Sequence, residues 1–568
     1  MKRISSSLAL AALLLFVGLI YLPGLNGPTL LDDGNNLAPL GAIDNGTLSI
    51  GEYVLGSREG ALSRPVSNAS FIVNWLLWGD NLMAFKAVNV LIHILCGVVV
   101  FFLARALLGI AYTQLEPQTI AAAALFTCAM WLLAPLFVST VLYTVQRMAQ
   151  LCALFTLLGL LCYVLGRQRR STFLLVTAFV MWPLALFSKE NGALLPLLAA
   201  LIEWWWLPGS ATARAENEAQ SFNAIDEWTR RTRIALIGCI SFAASALIIK
   251  VAGEPSWLLN GYQGRDFSMS ERLITQGPVL LDYLGNLLLF PGSSALSVFR
   301  DDFPVARDLW TQPLTAIACL LWVAVLVAGI CYRRHRSLMH AVSFGMLFFL
   351  AAHLVESSVF PLELYFEHRN YLPAFGIFMA LTSCGLWLLT RGTPRLIAIL
   401  AVALVMLSAL ATVQRTVLWG NEANLYAHAT RTHPQSARAW LGLASVQFTY
   451  DRFEDAQRSL RQAALLMQPS AHAAIALQAI AAHCVAQREV PQSLWHQLRA
   501  APLLASDLFT SNALAWMAGA FRAGTCDAAT QRGVRQILGE LPSAAPTSWN
   551  AATAQLRDAH LRQLLGSP

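Results

Sequence analysis

A chain of 568 residues that is 56% hydrophobic and only 12% charged cannot clothe itself in a polar surface, since soluble domains carry roughly a quarter charged residues. Its net charge of +7 does not point to nucleic acid. Much of the basic excess lies in short loops beside apolar runs, where such residues set topology. From Leu8 to about Val413 the charges sit in clusters between apolar runs. After Arg415 they are spread as in a soluble helical protein, which marks a domain boundary there.

A helix that crosses a bilayer core needs about 20 apolar residues. In chain order, candidates lie near 4–22, 86–107, 119–141, 149–166, 172–187, 191–207, 234–250, 312–332, 339–356, 370–390 and 395–413. The first follows Met1-Lys2-Arg3 and has no small-x-small cleavage pattern, so it reads as a retained helix rather than a signal peptide. Another stretch, 276–291, is shorter and contains Gly277, Pro278 and Asp282. Four loops are rich in arginine: Arg167, Arg169 and Arg170; Arg214, Arg230, Arg231 and Arg233; Arg333, Arg334 and Arg336; Arg391 and Arg395. The positive-inside rule puts all four in the cytoplasm with Lys2 and Arg3. This holds only if 276–291 does not cross, so that segment is expected to be interfacial or re-entrant. The expected fold is all-α. A bundle of eleven spans covers 1–415, N-terminus in and C-terminus out, with a long outer loop at 23–85, and an extracytoplasmic domain covers 416–568.

The second domain shows a repeat. Pro434, Pro469 and Pro502 recur at close to the 34-residue tetratricopeptide period, and Trp440 and Leu443 are followed by Ala456 and Ala463. Ala444 replaces the usual Gly, and Asp451 sits where another Gly is common. Two to three degenerate repeats forming a tetratricopeptide-like α-solenoid are expected, against the plainer alternative of an Ala-rich helical bundle. The ten cysteines form no metal-type CxxC pair. Eight lie in apolar segments and should pack as small hydrophobes, while Cys484 and Cys526 lie in the second domain, where a disulfide between them stays open.

With this topology the polar clusters share the outer side. They are Asp32-Asp33, read as an exposed loop pair; Arg58, Glu59 and Arg64; Gln146-Arg147; Lys189-Glu190-Asn191; and Glu363, Glu367, His368 and Arg369. Charges at a membrane edge are costly and usually functional. The blander readings are that Arg147 and Lys189 snorkel to headgroups and that Asp32-Asp33 is a polar turn. Asn89 and His93, four residues apart on one helix face, read as interhelical hydrogen-bonding support. Two carboxylates and several cations on one face suit acid–base chemistry on a phosphate-linked substrate.

Six segments carry a resemblance, in order: Asp32-Asp33, Ser63-Arg64-Pro65-Val66, Val88-Asn89-Val90-Leu91-Ile92-His93, Tyr143-Thr144-Val145-Gln146-Arg147-Met148, Phe187-Ser188-Lys189-Glu190-Asn191-Gly192 and Phe366-Glu367-His368-Arg369-Asn370-Tyr371-Leu372-Pro373. Together they resemble the TMTC-type proteins, transmembrane and tetratricopeptide-repeat members of the GT-C glycosyltransferases, which have bacterial relatives. The resemblance implies a polyprenyl-phosphate sugar donor used at the extracytoplasmic face, as in eukaryotic members that O-mannosylate proteins. The roles expected here are Asp32 or Asp33 as general base, with Arg147, Lys189, His368 and Arg369 on the leaving phosphate. Glu190 and Glu367 join that binding set, Arg64 orients the acid pair, and Asn89 and His93 support it. A divalent metal at the diacid stays open, although no His-rich set calls for one. The repeat array is short, and Gly34-Asn35-Asn36 lacks the charge usual after the diacid. Expected partners are membrane lipid, the lipid-linked sugar and an acceptor protein or glycan met through the repeats, in a bacterial inner membrane with the second domain in the periplasm. The competing reading is a non-enzymatic scaffold for envelope or pilus assembly. A transporter fits less well, because the charges sit at helix ends rather than mid-membrane.

Overall fold

A computed structural model describes residues 6–56, 63–207, 227–263, 265–290, 296–332, 338–392, 394–547 and 551–566. Lys2, Arg3, Arg58, Glu59, Arg214, Arg333, Arg334 and Arg336 lie outside them. The described chain is helical, without strands apart from one isolated bridge between Leu504 and Ser543.

Each of the eleven apolar stretches forms a helix. They are α1 (Ser6–Tyr21), α3 (Leu82–Ala111), α4 (Pro117–Leu132), α5 (Arg147–Arg169), α6 (Thr172–Leu186), α7 (Leu195–Trp206), α8 (Glu227–Gly253), α10 (Pro313–Tyr332), α11 (Leu338–Ala352), α12 (Ala374–Leu389) and α13 (Pro394–Trp419). Between them lie α2 (Pro65–Trp78) and α9 (Met269–Leu289). Proline opens α2, α4, α10 and α13, where its missing N–H costs nothing. The Asn81 and Ser171 side chains cap α3 and α6 by accepting from Ala84 and Leu174 N–H.

Among the described residues six helices are long and apolar enough to cross a membrane: α3, α5, α8, α10, α13 and α1 with its following turn. A seventh arises if Pro117–Leu132 and Pro135–Leu142, bent by 46°, form one span. Of the shorter ones, α7 and α12 are preceded by 3₁₀ turns that carry polar clusters, Glu190–Leu194 and Glu367–Asn370. Helix α9 is not among the crossing helices. It starts at a Ser268/Glu271 capping box, and its Arg272 and Gln276 side chains hold the carbonyls of Glu356, Ser358, Glu363 and Leu364.

The ends of these helices sort into two sets. At one end Glu203, on α7, accepts from Arg167 at the end of α5 (2.8 Å) and from Arg233 at the start of α8 (2.9 Å). At the other, the ends of α6 and α11 meet through a Lys189–Glu356 pair, and the end of α13 meets the start of α12 through an Arg415–Glu367 pair and the turn after α4 through an Arg415 bond to the Pro135 carbonyl. Helices α11 and α12 touch backbone to backbone at Gly345 and Gly376. A Cβ on Gly345 would lie 2.3 Å from the Gly376 carbonyl oxygen, which excludes any side chain there.

The second domain comprises α14 (Glu422–Thr432), α15 (Ala437–Thr449), α16 (Phe453–Leu466), α17 (His472–Val485), α18 (Gln492–Ala500), α19 (Leu508–Arg522), α20 (Ala528–Glu540) and α21 (Ala551–Leu565). Ala444, Ala456 and Ala463 are buried where α15 and α16 pack. Asp451 turns the chain between them at φ 56°, the left-handed region that explains why glycine is common at that position. A Cys484–Cys526 disulfide ties α17 to the loop before α20. The domain stands on the end of the bundle that carries Lys189 and Arg369. Tyr426 stacks on Phe299 (5.1 Å between centroids), and His433 meets Asp302 at 3.0 Å.

Candidate active site

The two adjacent acids do different things. Asp33 is fully buried, and its oxygens accept from the backbone N–H groups of Leu30 (2.9 Å) and Val145 (2.7 Å). Burial pushes its carboxyl up to about 7, against these two amides and nearby Lys86. It fastens the loop after α1 to the turn before α5, and is not the exposed loop acid expected from the sequence. Asp32 instead lines a cavity. Its backbone N–H donates to the Tyr143 hydroxyl at 2.9 Å. Burial raises its carboxyl above the ordinary range, the Tyr143 hydroxyl, Arg438 and Arg64 pull it back, and Glu363 adds to the rise.

Arg64 occupies a strained place. Ser63 and Arg64 both have positive φ, 59° and 51°, a conformation that costs non-glycine residues of order 1–3 kcal/mol. The surroundings hold it. Asn68 donates to the Ser63 carbonyl (2.8 Å), and Val66 N–H donates to Phe187 O (3.1 Å). Thus fixed, Arg64 reaches Glu190 at 3.0 Å. Burial opposes the Glu190 charge, but the Arg64 guanidinium, a backbone amide and Lys189 together hold the carboxyl below its usual value.

Lys189 pairs with Glu356 at 2.6 Å. Arg369 donates to the carbonyls of Leu364 (3.0 Å) and Glu363 (2.8 Å), and His368 stacks on Phe366. Burial, then Lys189, pushes His368 well below the normal histidine range, so its ring is neutral.

These groups converge on one cavity of about 840 Å³. Its charged end holds Asp32, Arg64, Lys189, Glu190, Glu356, Glu363, His368 and Arg369. Its apolar walls come from Trp182 and Leu186 of α6, Pro196 and Leu197 of α7, and Ile240, Phe242, Ala243 and Leu247 of α8. Six residues expected from the sequence, Asp32, Arg64, Lys189, Glu190, His368 and Arg369, share it.

Others do not. Arg147 is fully buried in a niche of its own, donating to Asn89 Oδ1 (2.8 Å), Asn74 Oδ1 (2.8 Å), Phe85 O (2.8 Å) and Ser70 O (3.1 Å) between the Phe71 and Phe85 rings. The phosphate role expected of it is corrected: its donors already serve the fold. Glu367 faces away too, paired with buried Arg415. Asn89 bridges Arg147 to the carbonyls of Val141 and Thr144. His93 bonds the Tyr371 hydroxyl (2.8 Å) and Leu132 O (3.0 Å). Both brace the bundle outside the cavity.

The sequence reading missed Glu356, Arg265, Lys250 and Arg438. An acid at the end of an apolar stretch was the available signal for Glu356. Nothing in the second domain marked Arg438. At the diacid, each Asp33 oxygen accepts from one backbone amide. Among the described residues no group of three or more His, Cys, Asp or Glu is arranged to hold an ion.

Compared with known proteins, the chain matches no family model, no curated protein and no solved structure. Its chemistry has to be read from the cavity itself.

Proposed function

We propose that the protein is a membrane glycosyltransferase of GT-C type, moving a sugar from a polyprenyl-phosphate donor to an acceptor hydroxyl on the extracytoplasmic face. The observation that carries this reading is the cavity's two-sided character. An apolar trough beside α8 runs into a cluster of cations and one acid with a raised pKa, a shape and polarity suited to a lipid tail with a phosphosugar head. Helix α8 is itself only 6% buried, which fits a lipid entering along it.

In this scheme Asp32 takes the proton of the acceptor hydroxyl as its oxygen attacks the anomeric carbon. The bond from that carbon to the phosphate oxygen breaks, and the phosphate leaves with the electron pair. A carboxylate with a raised pKa is the stronger base for this step. The charge growing on the phosphate is met by Lys189 and Arg369, and the neutral His368 ring contributes an N–H donor. Arg64 and Glu190 hold each other and keep the wall beside Asp32 in place.

The reading places eleven spans in a bacterial inner membrane and a degenerate tetratricopeptide-like array outside, within reach of acceptors. The Cys484–Cys526 disulfide supports an oxidising compartment for that domain. Mass spectrometry of envelope proteins and glycans from cells with and without the gene tests the activity. A hexose-type modification lost with the gene and not restored by Asp32→Asn is the expected result, and identical glycan profiles overturn the proposal. Reporter fusions after Arg170 and Arg233 should read cytoplasm and a fusion after Arg415 should read outside; a cytoplasmic signal after Arg415 removes the repeat domain from the active face.

A further inference from the structure

The second domain does more than stand beside the cavity. Ser436 and the Arg438 backbone N–H both bond Asp301, fixing the start of α15 against the loop that follows α9. From there the Arg438 side chain reaches back to Glu363 in the cavity wall, Nη2 to Oε1 at 2.9 Å. Arg265 approaches the same oxygen at 2.6 Å. Glu363 is thus clamped between one arginine of the membrane region and one of the repeat domain, and these two cations hold its carboxyl below the usual range despite burial. The same segment carries the Glu363 carbonyl that anchors Arg369.

We infer that Arg438 is a positioning residue of the transfer reaction, supplied by the repeat domain to fix Glu363 and to set the charge around Asp32. This rests on the proposed reading of Asp32 as base. The groups that act electrostatically on the Asp32 carboxyl are the Tyr143 hydroxyl, Arg438, Glu363 and Arg64; Arg64 and Glu363 line the same cavity as Asp32, and Asp33, next in the chain, is held by backbone amides. Arg438 and Glu363 act on that carboxyl with opposite signs, so their removal must move its titration in opposite directions. An acceptor-binding array that also completes the charge balance of the base couples its own seating to catalysis. Among the described residues of the membrane region, Arg265 alone pairs with the Glu363 carboxylate.

The test is the pH profile of kcat/KM, measured on the full-length protein in lipid nanodiscs from about pH 5 to about pH 8. Arg438→Gln removes a cation, raises the pKa of the base and should move the acid limb up by about one pH unit. Glu363→Gln removes an anion and should move it down. Arg438→Lys keeps the charge and should restore the limb to its wild-type position. Opposite shifts from the first two variants are a signature that a merely structural contact cannot give. An unmoved limb in both, with Asp32→Asn still inactive, overturns the inference and leaves the glycosyltransferase reading standing. If Arg438→Gln does not fold, Glu363→Gln decides by the same criterion. Normal transfer by Asp32→Asn defeats the underlying reading itself.

Discussion

Two corners of the molecule carry arginines at the same end of the bundle, and they have opposite characters. Around Arg147 the partners are neutral amides and backbone carbonyls packed between two phenylalanine rings, with no part of the side chain exposed. Around Lys189 and Arg64 the partners are carboxylates that themselves line an 840 Å³ cavity, as does Glu363, whose carbonyl holds Arg369. A charged residue at a helix end therefore marks a binding site only when its partners face open volume that a ligand can enter. When the donors are saturated inside the bundle, the residue is a bolt. The dipeptide Asp32-Asp33 shows the same contrast at one-residue spacing, with one acid facing the cavity and the other tied to two backbone amides.

The sharpest way to break this comparison is to exchange the two acids. Asp32→Asn removes the base and should lower transfer by about two to four orders of magnitude while the protein stays folded. Asp33→Asn should act the other way round. Its amide sets an N–H₂ against one of two N–H donors, so stability should fall by about 1–3 kcal/mol, read as an earlier thermal transition in detergent. Equal loss of activity at equal stability in both variants would erase the distinction.

Next in size is Arg147→Met. It leaves Asn74, Asn89 and two carbonyls unsatisfied in the core, at a cost on the order of 3 kcal/mol, and should reduce the yield of folded protein. The fraction that folds should keep an unaltered KM for the donor, since Arg147 does not line the cavity. A large KM effect with normal stability would return it to the phosphate site.

Lys189→Met should slow transfer by about one to two orders of magnitude, because a charge-assisted bond to an ionised partner contributes roughly 1.5–3 kcal/mol. It also leaves Glu356 buried without its cation, so adding Glu356→Gln should recover stability but not rate. Recovery of both would make the pair a structural bolt of the Arg147 kind. The smallest effect is expected for Arg369→Lys. An ammonium cannot span the Leu364 and Glu363 carbonyls as the guanidinium fork does, and turnover should drop about tenfold in single-turnover measurements. An unchanged rate would place Arg369 among the bracing residues.

Much of this protein was legible in its sequence because the signals are local. Apolar runs in a bilayer require helices, and all eleven stretches form them, though among the described residues only six, or seven with the bent pair, are long and apolar enough to cross a membrane. Prolines and 3₁₀ turns fix where the helices break, and the polar clusters fall in those breaks. The alanines spaced along α15 and α16 foretell their close packing, and Asp451 takes the backbone conformation that glycine usually supplies. Local pattern also brought six residues of the cavity together in advance, from Asp32 to Arg369. What the sequence could not decide is which way each side chain turns. The burial of Arg147 depends on Asn74, Asn89 and Phe85 arriving from elsewhere in the chain, and the pairing of Glu367 on Arg415 from α13. Glu356 meets Lys189 across 167 residues, and Arg438 meets Glu363 across 75. Hydrogen bonds and ion pairs act over about 3 Å, and only the packing of distant helices brings such groups within that range. The sequence determined a helical bundle with charged breaks on one face; tertiary structure alone decided which of those charges the fold keeps for itself and which it turns toward the cavity.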